Sequence, residues 1–331
     1  MRSASSSAAD AKKREQGPEL GGSVLVTGGA GFVGRHLVRQ LAERDETVIC
    51  LYHARLPETV PNVYPVCSDM ATSELLAAPL RGVDTVIHLA WDRTLLGPDQ
   101  KTPSHKESHA SAVSNLHMLE NLMTAMERAG TRRLIFLSAI GACRHTTQPF
   151  LREKYIAEHI ILNSKLPEKI IVRSSLVYGA GSGDRLMRSM LRVMKFPLVY
   201  PVPRTKSPMA PLHVEDLVGL LEKVSRHKMR ENFGLIELAG EEKYQLGDLL
   251  KLVSEQCVKG MRLPVGGYLG ERLMPYFERD SKADIAVPRL QHLMALGGRA
   301  DDAVEKENPL AALLPVRMTS FRETLALAQA N

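Results

Sequence analysis

Long apolar runs, paired cysteines and aromatic residues are all scarce in this chain of 331 residues. No apolar run reaches about 18 residues, so no membrane-spanning helix is expected. The four cysteines form no CxxC pair, and no third ligand stands near His105 and His109, so no metal site is predicted. Aromatic residues make up 5% of the chain and do not alternate with basic ones, which argues against nucleic-acid binding.

The composition that is present is typical of a globular protein. Hydrophobic residues make up 44% and charged residues 24%, and the length corresponds to about two domains at roughly 150 residues each. The formal net charge of +6 permits an anionic partner without requiring one. The first 22 residues lack a secretory signal, so a flexible tail is expected; an organelle transit peptide is the alternative, against which Asp10 and Glu15 argue. Unpaired cysteines favour a reducing compartment, the cytoplasm or an organelle matrix.

Short β-branched runs alternate with helical patterns between residues 23 and 178. The alternation indicates βαβ units and predicts an α/β Rossmann fold with a doubly wound parallel sheet. The six predicted strands are Ser23–Thr27, Thr47–Tyr52, Val63–Val66, Asp84–Leu89, Arg133–Ser138 and Ile170–Arg173.

The pattern changes after Gly179, where prolines become frequent and the strand–helix alternation ends. We therefore predict three segments: a tail over 1–22, a Rossmann domain over 23–179, and a smaller C-terminal α/β lobe over 180–331. Helices are predicted near 183–195, 214–225, 246–258 and 317–329, and the stretch 260–308 has no clear periodicity.

The turn after the first predicted strand carries three glycines at regular spacing. Gly28, Gly31 and Gly34 accompany Phe32 and Val33 in the sequence TGGAGFVG, between a strand and a helix. This arrangement lets the chain turn tightly, lets the backbone approach a pyrophosphate without a Cβ in the way, and presents helix N–H groups to phosphates. It predicts that these five residues bind a dinucleotide; an ordinary tight βα turn is the alternative.

The end of the second predicted strand indicates which dinucleotide binds. An acidic residue there would bind the ribose 2′-hydroxyl of NAD(H), but the sequence reads Tyr52-His53-Ala54-Arg55. Arg55, with His53 or Arg35, could instead bind a 2′-phosphate through charge-assisted hydrogen bonds. We therefore favour NADP(H) over NAD(H), the alternative being that Arg55 is a solvated loop residue.

Together with later motifs, these residues resemble the extended and atypical short-chain dehydrogenase/reductases, the NAD(P)-dependent epimerase/dehydratase superfamily. The resemblance covers roughly residues 23–225. It implies that Asp69 and Met70 contact the adenine, that Leu89 and Ala90 line the cofactor, and that Asn115 supports the active site. The motifs that carry it are TGGAGFVG at 27–34, DTVIHLA at 84–90, RSSLVYG at 173–179 and PLHVEDL at 211–217.

The sequence departs from this superfamily at the reacting groups. The superfamily uses a Tyr four residues before a Lys as general acid/base, and the Lys also holds the nicotinamide ribose. Lys154 is retained here, so the resemblance implies that it binds the cofactor, but Phe150 stands at the Tyr position. A phenyl ring has no proton to exchange. The Ser position aligns with Ala139, although Ser138 is adjacent. The residues 138–142 and 150–154 are similar to the atypical branch that contains the nucleotide-binding accessory subunit of respiratory complex I and relatives in photosystem assembly.

A second concentration of charge lies in the predicted C-terminal lobe. Four basic residues fall on one face of a predicted helix and apolar residues on another. Three interpretations stay open: a solvated face, a site for an anionic substrate such as a nucleotide sugar, or a surface that docks to a membrane or acidic partner. The basic residues are Arg185, Arg188, Arg192 and Lys195, followed by Arg204 and Lys206.

Two functions follow from the residues and the resemblance. The first is a cofactor-binding assembly, scaffold or redox-sensing component with impaired catalytic machinery. The second is an active NADP(H)-dependent oxidoreductase, epimerase or dehydratase in which Lys154, Asn115 and Ser138 act on a carbonyl or hydroxyl substrate. Trp91, just after the fourth predicted strand, either lines the substrate cleft or caps the sheet edge.

Overall fold

A seven-stranded parallel sheet forms the centre of the molecule in a computed structural model. The residues that the structure describes are 23–44, 46–53, 55–91, 105–181, 185–194, 198–202, 208–227, 229, 231–258, 263–269, 272, 310–315 and 317–330. The predicted tail over 1–22 and most of 260–308 lie outside them.

The strands of the central sheet follow the order β10-β6-β5-β4-β1-β2-β3, and every pair is parallel. All five residues of β1 are buried, as expected for a strand that has both of its faces covered. The predicted doubly wound α/β fold is therefore confirmed. The strands are β1 Ser23–Thr27, β2 Val48–Tyr52, β3 Val63–Cys67, β4 Val83–His88, β5 Arg133–Ala139, β6 Glu168–Ser174 and β10 Phe233–Leu238.

Helices cover both faces of this sheet. One face packs against α1 and α5, and the other packs against α2 and α3. The helix α1 buries Val33, Leu37, Val38 and Leu41, the apolar stripe of its 3.6-residue period. The helices are α1 Phe32–Glu43, α2 His105–Ala129, α3 Pro149–Leu162, α4 Arg185–Val193, α5 Val214–Arg226, α6 Leu246–Cys257 and α7 Phe321–Ala330.

The seventh strand comes from beyond the predicted domain boundary at 179. The strand β10 pairs with β6 at one edge of the sheet, and sequence patterns did not predict it. Only alternate residues of β10 are buried, and Gly234 leaves room for the side chain of Leu310, so its apolar signal is weak. Residues 180–331 therefore supply part of the sheet as well as the second lobe.

The second lobe packs on an apolar core built around Tyr178, Tyr200 and Phe321, to which Leu151 of α3 also contributes. Two short parallel strand pairs accompany its helices. Within the described residues, none of the helices combines the length and apolar character needed to cross a membrane. The short strands are β7 Val177–Tyr178, β8 Val199–Pro201, β9 Leu212–His213 and β11 Leu263–Val265.

Candidate functional site

The glycine turn after β1 has the geometry that its sequence predicts. The Gly31 N–H donates to the Gly28 carbonyl at 2.9 Å, and Gly28 has φ of 71°, a conformation that favours glycine. A Cβ on Gly28 would lie 2.7 Å from the Ala90 nitrogen, and one on Gly34 would overlap the Gly28 carbonyl oxygen. No side chain caps α1 at Gly31, and no acidic residue stands in its first turn. The partial positive charge of this helix terminus is thus available to a phosphate.

Alanine at Gly34 is expected to lower the free energy of unfolding by about 1–3 kcal/mol, because the new Cβ overlaps the backbone of the turn. Gly219, which lies within α5, is the matched control, because a Cβ there meets nothing within 4 Å. Gly219→Ala should therefore stabilise the protein by about 0.5–1 kcal/mol. Urea unfolding measures the change in the free energy of unfolding, which should be a loss in Gly34→Ala and a gain in Gly219→Ala. Changes of the same sign and size in the two variants would contradict the tight turn at Gly34.

The ends of β1 and β4 are joined beside this turn. Thr27 Oγ1 lies 2.7 Å from His88 Nδ1 and accepts a hydrogen bond from the Ala90 N–H at 3.2 Å. His88 is buried and stacks on Phe136, and its Nε2 has no hydrogen-bond partner within the described part of the chain. Burial, and then the charge of Lys154, lower the pKa of His88 to about 3. His88 is therefore neutral at physiological pH.

A cleft of about 230 Å³ opens where the first two strands end. Six predicted cofactor-binding residues line it together: Gly28, His53, Arg55, Asp69, Met70 and Ala90. Sequence reasoning missed the other lining residues, which are Ala30, Leu51, Tyr52, Ser68 and Met118. Most of these are sequence neighbours of predicted residues. Met118 comes from α2, and no local pattern could have placed it there.

Apart from Lys154, the remaining predicted cofactor-binding residues lie around the glycine turn. The Val33 side chain is buried in the core, so only its backbone can face a ligand. Phe32 is partly buried against the same core and contacts His36 edge-on, with ring centroids 5.6 Å apart. Leu89 is also partly buried, and its N–H donates to the Thr27 carbonyl at 3.2 Å. These residues shape the turn more than they line the cleft.

Lys154 is enclosed by aromatic rings and is 4% exposed. Its ammonium donates to the Leu137 carbonyl at 2.8 Å and lies 3.7 Å from the centre of the Trp91 ring and 4.4 Å from that of Phe136. Phe150 is more distant, at 5.8 Å. Such cation–π contacts are strongest when the cation is desolvated. The ring of Trp91 thus lies over the lysine ammonium. The sequence predicted that Trp91 lines the substrate cleft or caps the sheet edge, and neither prediction included this contact.

Asn115 and Trp91 share a partner that sequence reasoning missed. The buried carboxylate of Glu153 accepts a hydrogen bond from Asn115 Nδ2 at 3.0 Å and another from Trp91 Nε1 at 3.2 Å. Glu153 precedes Lys154 and is buried inside a helix, where an unpaired carboxylate would be costly. The sequence contains no local signal for this role because both partners come from elsewhere in the chain.

Ser138 belongs to a separate buried network. Its hydroxyl donates to Glu158, whose two carboxylate oxygens accept from Arg173 Nε at 3.0 Å and Nη2 at 2.7 Å. Arg173 also donates to Glu237 at 2.9 Å. Burial acts to lower the pKa of Arg173, but the hydrogen bonds and charges of the two carboxylates outweigh it and raise that pKa. The Ser138 hydroxyl is therefore bound to a structural ion pair.

The predicted basic helix corresponds to α4, and the structure describes the side chains of two of its basic residues, neither of which is fully solvated. Arg192 is 9% exposed, and Arg188 is half-buried. The apolar face, with Leu186 and Met190, is buried in the core of the second lobe. Lys195, Arg204, Lys206 and the side chain of Arg185 lie outside the described residues, as do the side chains of His105 and His109.

Comparisons with curated proteins identify relatives of two kinds. The chain is 35% identical over 119 residues to a 3 beta-hydroxysteroid dehydrogenase/Delta 5-->4-isomerase of Mycobacterium tuberculosis, which covers 36% of this chain and 32% of that protein. It is 27% identical over 230 residues to the ceramide reductase of Caulobacter vibrioides (66% and 64% covered). It is 25% identical over 238 residues to the NADH dehydrogenase [ubiquinone] 1 alpha subcomplex subunit 9 of Arabidopsis thaliana (69% and 56% covered).

The matched region spans less than two thirds of each of these relatives' own length. A photosystem II assembly factor, Ycf39 of Synechocystis, is a further relative at 26% identity over 161 residues, with 47% of this chain and 45% of that protein covered. The predicted resemblance to the complex I accessory branch is thereby confirmed.

Solved structures confirm the fold. MoeE5 in complex with UDP-glucuronic acid and NAD has a TM-score of 0.64 at 20% identity, covering 92% of this chain and 97% of that one. The UDP-glucose 4-epimerase of Thermotoga maritima has a TM-score of 0.59 at 18% identity, with 93% and 97% covered. A family model matches residues 24–233, which include the glycine turn, the cleft and the lysine site. The chain therefore belongs to the NAD dependent epimerase/dehydratase family.

Proposed function

We propose that this protein binds NADP(H) as an assembly, scaffold or redox-sensing component, and that its machinery for hydride transfer is impaired. One observation carries the proposal: the Lys154 ammonium is bound to the Leu137 carbonyl beneath the Trp91 ring, with Phe150 at the position of the general acid/base. In this state the lysine is covered, and Phe150 has no proton that it could help to transfer.

The other expected hydroxyl also has a structural role. The Ser138 hydroxyl donates to Glu158 inside the ion-pair network, and Ala139 at the neighbouring position has no polar side chain. A group that holds substrate oxygen must be within about 3 Å of it and free to donate. The names of two relatives, a subunit of NADH dehydrogenase and a photosystem II assembly factor, support a role as an assembly or scaffold component.

The chain contains one tryptophan, Trp91, which makes the proposal directly testable. Reduced dinucleotide bound in the cleft should quench Trp91 fluorescence, while incubation of NADPH with carbonyl, steroid and nucleotide-sugar panels should give no oxidation above the uncatalysed rate. Turnover in the wild type that disappears in Lys154→Ala would contradict impaired catalysis. Failure to bind either dinucleotide at millimolar concentration would remove the basis of the proposal.

The preference for NADP(H) depends on Arg55, which lines the cleft next to His53. Arg55→Ala is expected to weaken NADPH binding about tenfold or more, because a charge-assisted hydrogen bond is worth roughly 1.5–3 kcal/mol. NADH affinity should change less than about twofold, since it has no 2′-phosphate. Arg81→Ala is the control, because Arg81 is exposed and its replacement removes the same charge. Equal losses for the two dinucleotides in Arg55→Ala would remove the argument for the phosphate.

An active enzyme is the second candidate, and the named activities of several relatives favour it. The relatives include a ceramide reductase, a 2-alkyl-3-oxoalkanoate reductase and hydroxysteroid dehydrogenases, all named for lipid substrates. In this candidate the Trp91 ring must leave Lys154, so that the ammonium can reach the cofactor ribose. Residues 180–331 would then form the lobe for substrate or partner, and Arg188 and Arg192 would bind an anionic group. Under this candidate, Arg192→Met raises KM without abolishing kcat.

A further inference from the structure

A buried carboxylate and a buried ammonium contact the same indole ring at the lysine site. Glu153 Oε2 accepts a hydrogen bond from Trp91 Nε1 at 3.2 Å, and the Lys154 ammonium lies 3.7 Å from the centre of the Trp91 ring. Both charged residues are almost completely buried. Charges buried to this degree require partners, because desolvation disfavours the ionised forms. The indole ring is a partner that the two charged groups share.

The two contacts use opposite electrostatic poles of the indole. The edge of an aromatic ring, where the N–H lies, is positive and its faces are negative. Glu153 binds the edge through the N–H and Lys154 lies over the face, so each charge meets the pole that attracts it. Glu153 and Lys154 are neighbours on α3, where successive side chains point about 100° apart. Trp91 thus bridges two groups whose side chains leave the helix in different directions.

Asn115 holds the carboxylate of Glu153 in the orientation that this arrangement needs. The other carboxylate oxygen, Oε1, accepts a hydrogen bond from Asn115 Nδ2 at 3.0 Å. Phe136 and His88 also pack edge-on against the Trp91 ring, with centroids 5.5 Å and 6.2 Å away. These ring contacts do not fix the direction of the indole N–H, whereas a hydrogen bond does. The carboxylate is therefore the group that sets how the ring lies over the lysine.

We propose that Glu153 is a positioning residue that holds the Trp91 ring over the Lys154 ammonium. Lys154 then stays covered until the indole N–H leaves the carboxylate. The proposal rests on the proposed function, in which the covered lysine is the impaired state, and it names the group that maintains that state. Removal of the carboxylate should release the ring and make the ammonium accessible to a reagent.

Labelling of the full chain with acetic anhydride, without dinucleotide or substrate, tests the proposal separately from turnover. Glu153→Ala should raise the rate of Lys154 acetylation, read by peptide mass spectrometry, about tenfold or more, because a hydrogen bond to a charged group no longer holds the ring. Lys169 is the internal reference, since its ammonium also donates to backbone carbonyls, and its rate should not change. The emission of Trp91, the single tryptophan, should shift to longer wavelength in the same variant, because the ring moves toward water.

A double variant separates positioning from a direct effect of the Glu153 charge on the lysine. Trp91→Ala removes the ring itself and should raise Lys154 acetylation at least as much as Glu153→Ala does. If Glu153 acts through the ring, adding Glu153→Ala to Trp91→Ala should change the rate by less than about twofold. Independent effects of the two residues would multiply.

Glu168→Gln is the matched control for the loss of a buried carboxylate. Glu168 is also buried, and its two oxygens accept hydrogen bonds from Arg132 and Arg133 where β5 and β6 begin. The site near Lys154 lies where β5 ends, since the ammonium donates to the Leu137 carbonyl. The control should therefore leave Lys154 acetylation unchanged, and circular dichroism should show that every variant is folded.

Glu153→Gln provides a milder form of the same test. It keeps an acceptor oxygen for the indole N–H without the charge, so its increase in Lys154 acetylation should be smaller than that of Glu153→Ala. Three results would overturn the proposal: unchanged Lys154 acetylation in both Glu153 variants, multiplied effects in the double variant with Trp91→Ala, or an equal increase in Glu168→Gln.

Discussion

Replacing Glu158 with alanine is expected to lower the free energy of unfolding by about 3–5 kcal/mol, the cost of breaking a buried ion pair. Glu158 accepts hydrogen bonds from Ser138 and, through both carboxylate oxygens, from Arg173. Its removal leaves the partly buried guanidinium of Arg173 with Glu237, on β10, as its remaining acidic partner within the described residues. The loss should exceed that of a single hydrogen bond because a charge is left poorly solvated.

Urea unfolding measures this loss, with Glu323→Ala as the control. Glu323 pairs with Arg317 at 3.2 Å, but both side chains are exposed, so this variant should lose less than about 1 kcal/mol. Glu158→Gln should fall between the two, since it keeps hydrogen-bonding groups and removes the charge. A loss below about 1 kcal/mol in Glu158→Ala would show that the network does not hold α3, β5 and β6 together.

The lining of the cleft at the ends of β1 and β2 was largely predictable from the sequence, because its parts are local. A βα turn with Gly28, Gly31 and Gly34 requires only a strand, a turn and a helix in succession. The ends of parallel strands lie at one edge of the sheet, so His53, Asp69 and Ala90 come together once the strand order is known. Patterns within short segments of the sequence were therefore enough to predict most of the residues that meet at this cleft.

The lysine site was less predictable, because its contacts join distant segments. Lys154 and Trp91 are 63 residues apart, and Glu153 and Asn115 are 38 residues apart. No spacing rule predicts that the indole ring of Trp91 lies over the ammonium of Lys154. Nor does one predict that a glutamate within a helix is buried and accepts a hydrogen bond from a side-chain amide. Similarly, Arg192 appeared on a cationic helix face in the sequence, and only the packing of the second lobe shows that it is buried.

Acidification is expected to destabilise the protein through His88, the histidine that joins the ends of β1 and β4 through Thr27. Its pKa is about 3 when folded against 6.5 for an ordinary histidine. Below pH 6.5 the unfolded chain therefore binds a proton that the folded chain does not, and stability falls as pH falls. Between pH 7 and pH 4 this single group should remove about 3 kcal/mol, at up to about 1.4 kcal/mol per pH unit.

His88→Leu should flatten this part of the pH profile, although the loss of the hydrogen bond to Thr27 should lower stability at pH 7 by about 1 kcal/mol. His117→Asn is the control, because it removes a histidine that is exposed on α2. Chemical denaturation of the three proteins from pH 7 to pH 4 measures the slopes. An unchanged slope in His88→Leu would assign the acid sensitivity to other groups.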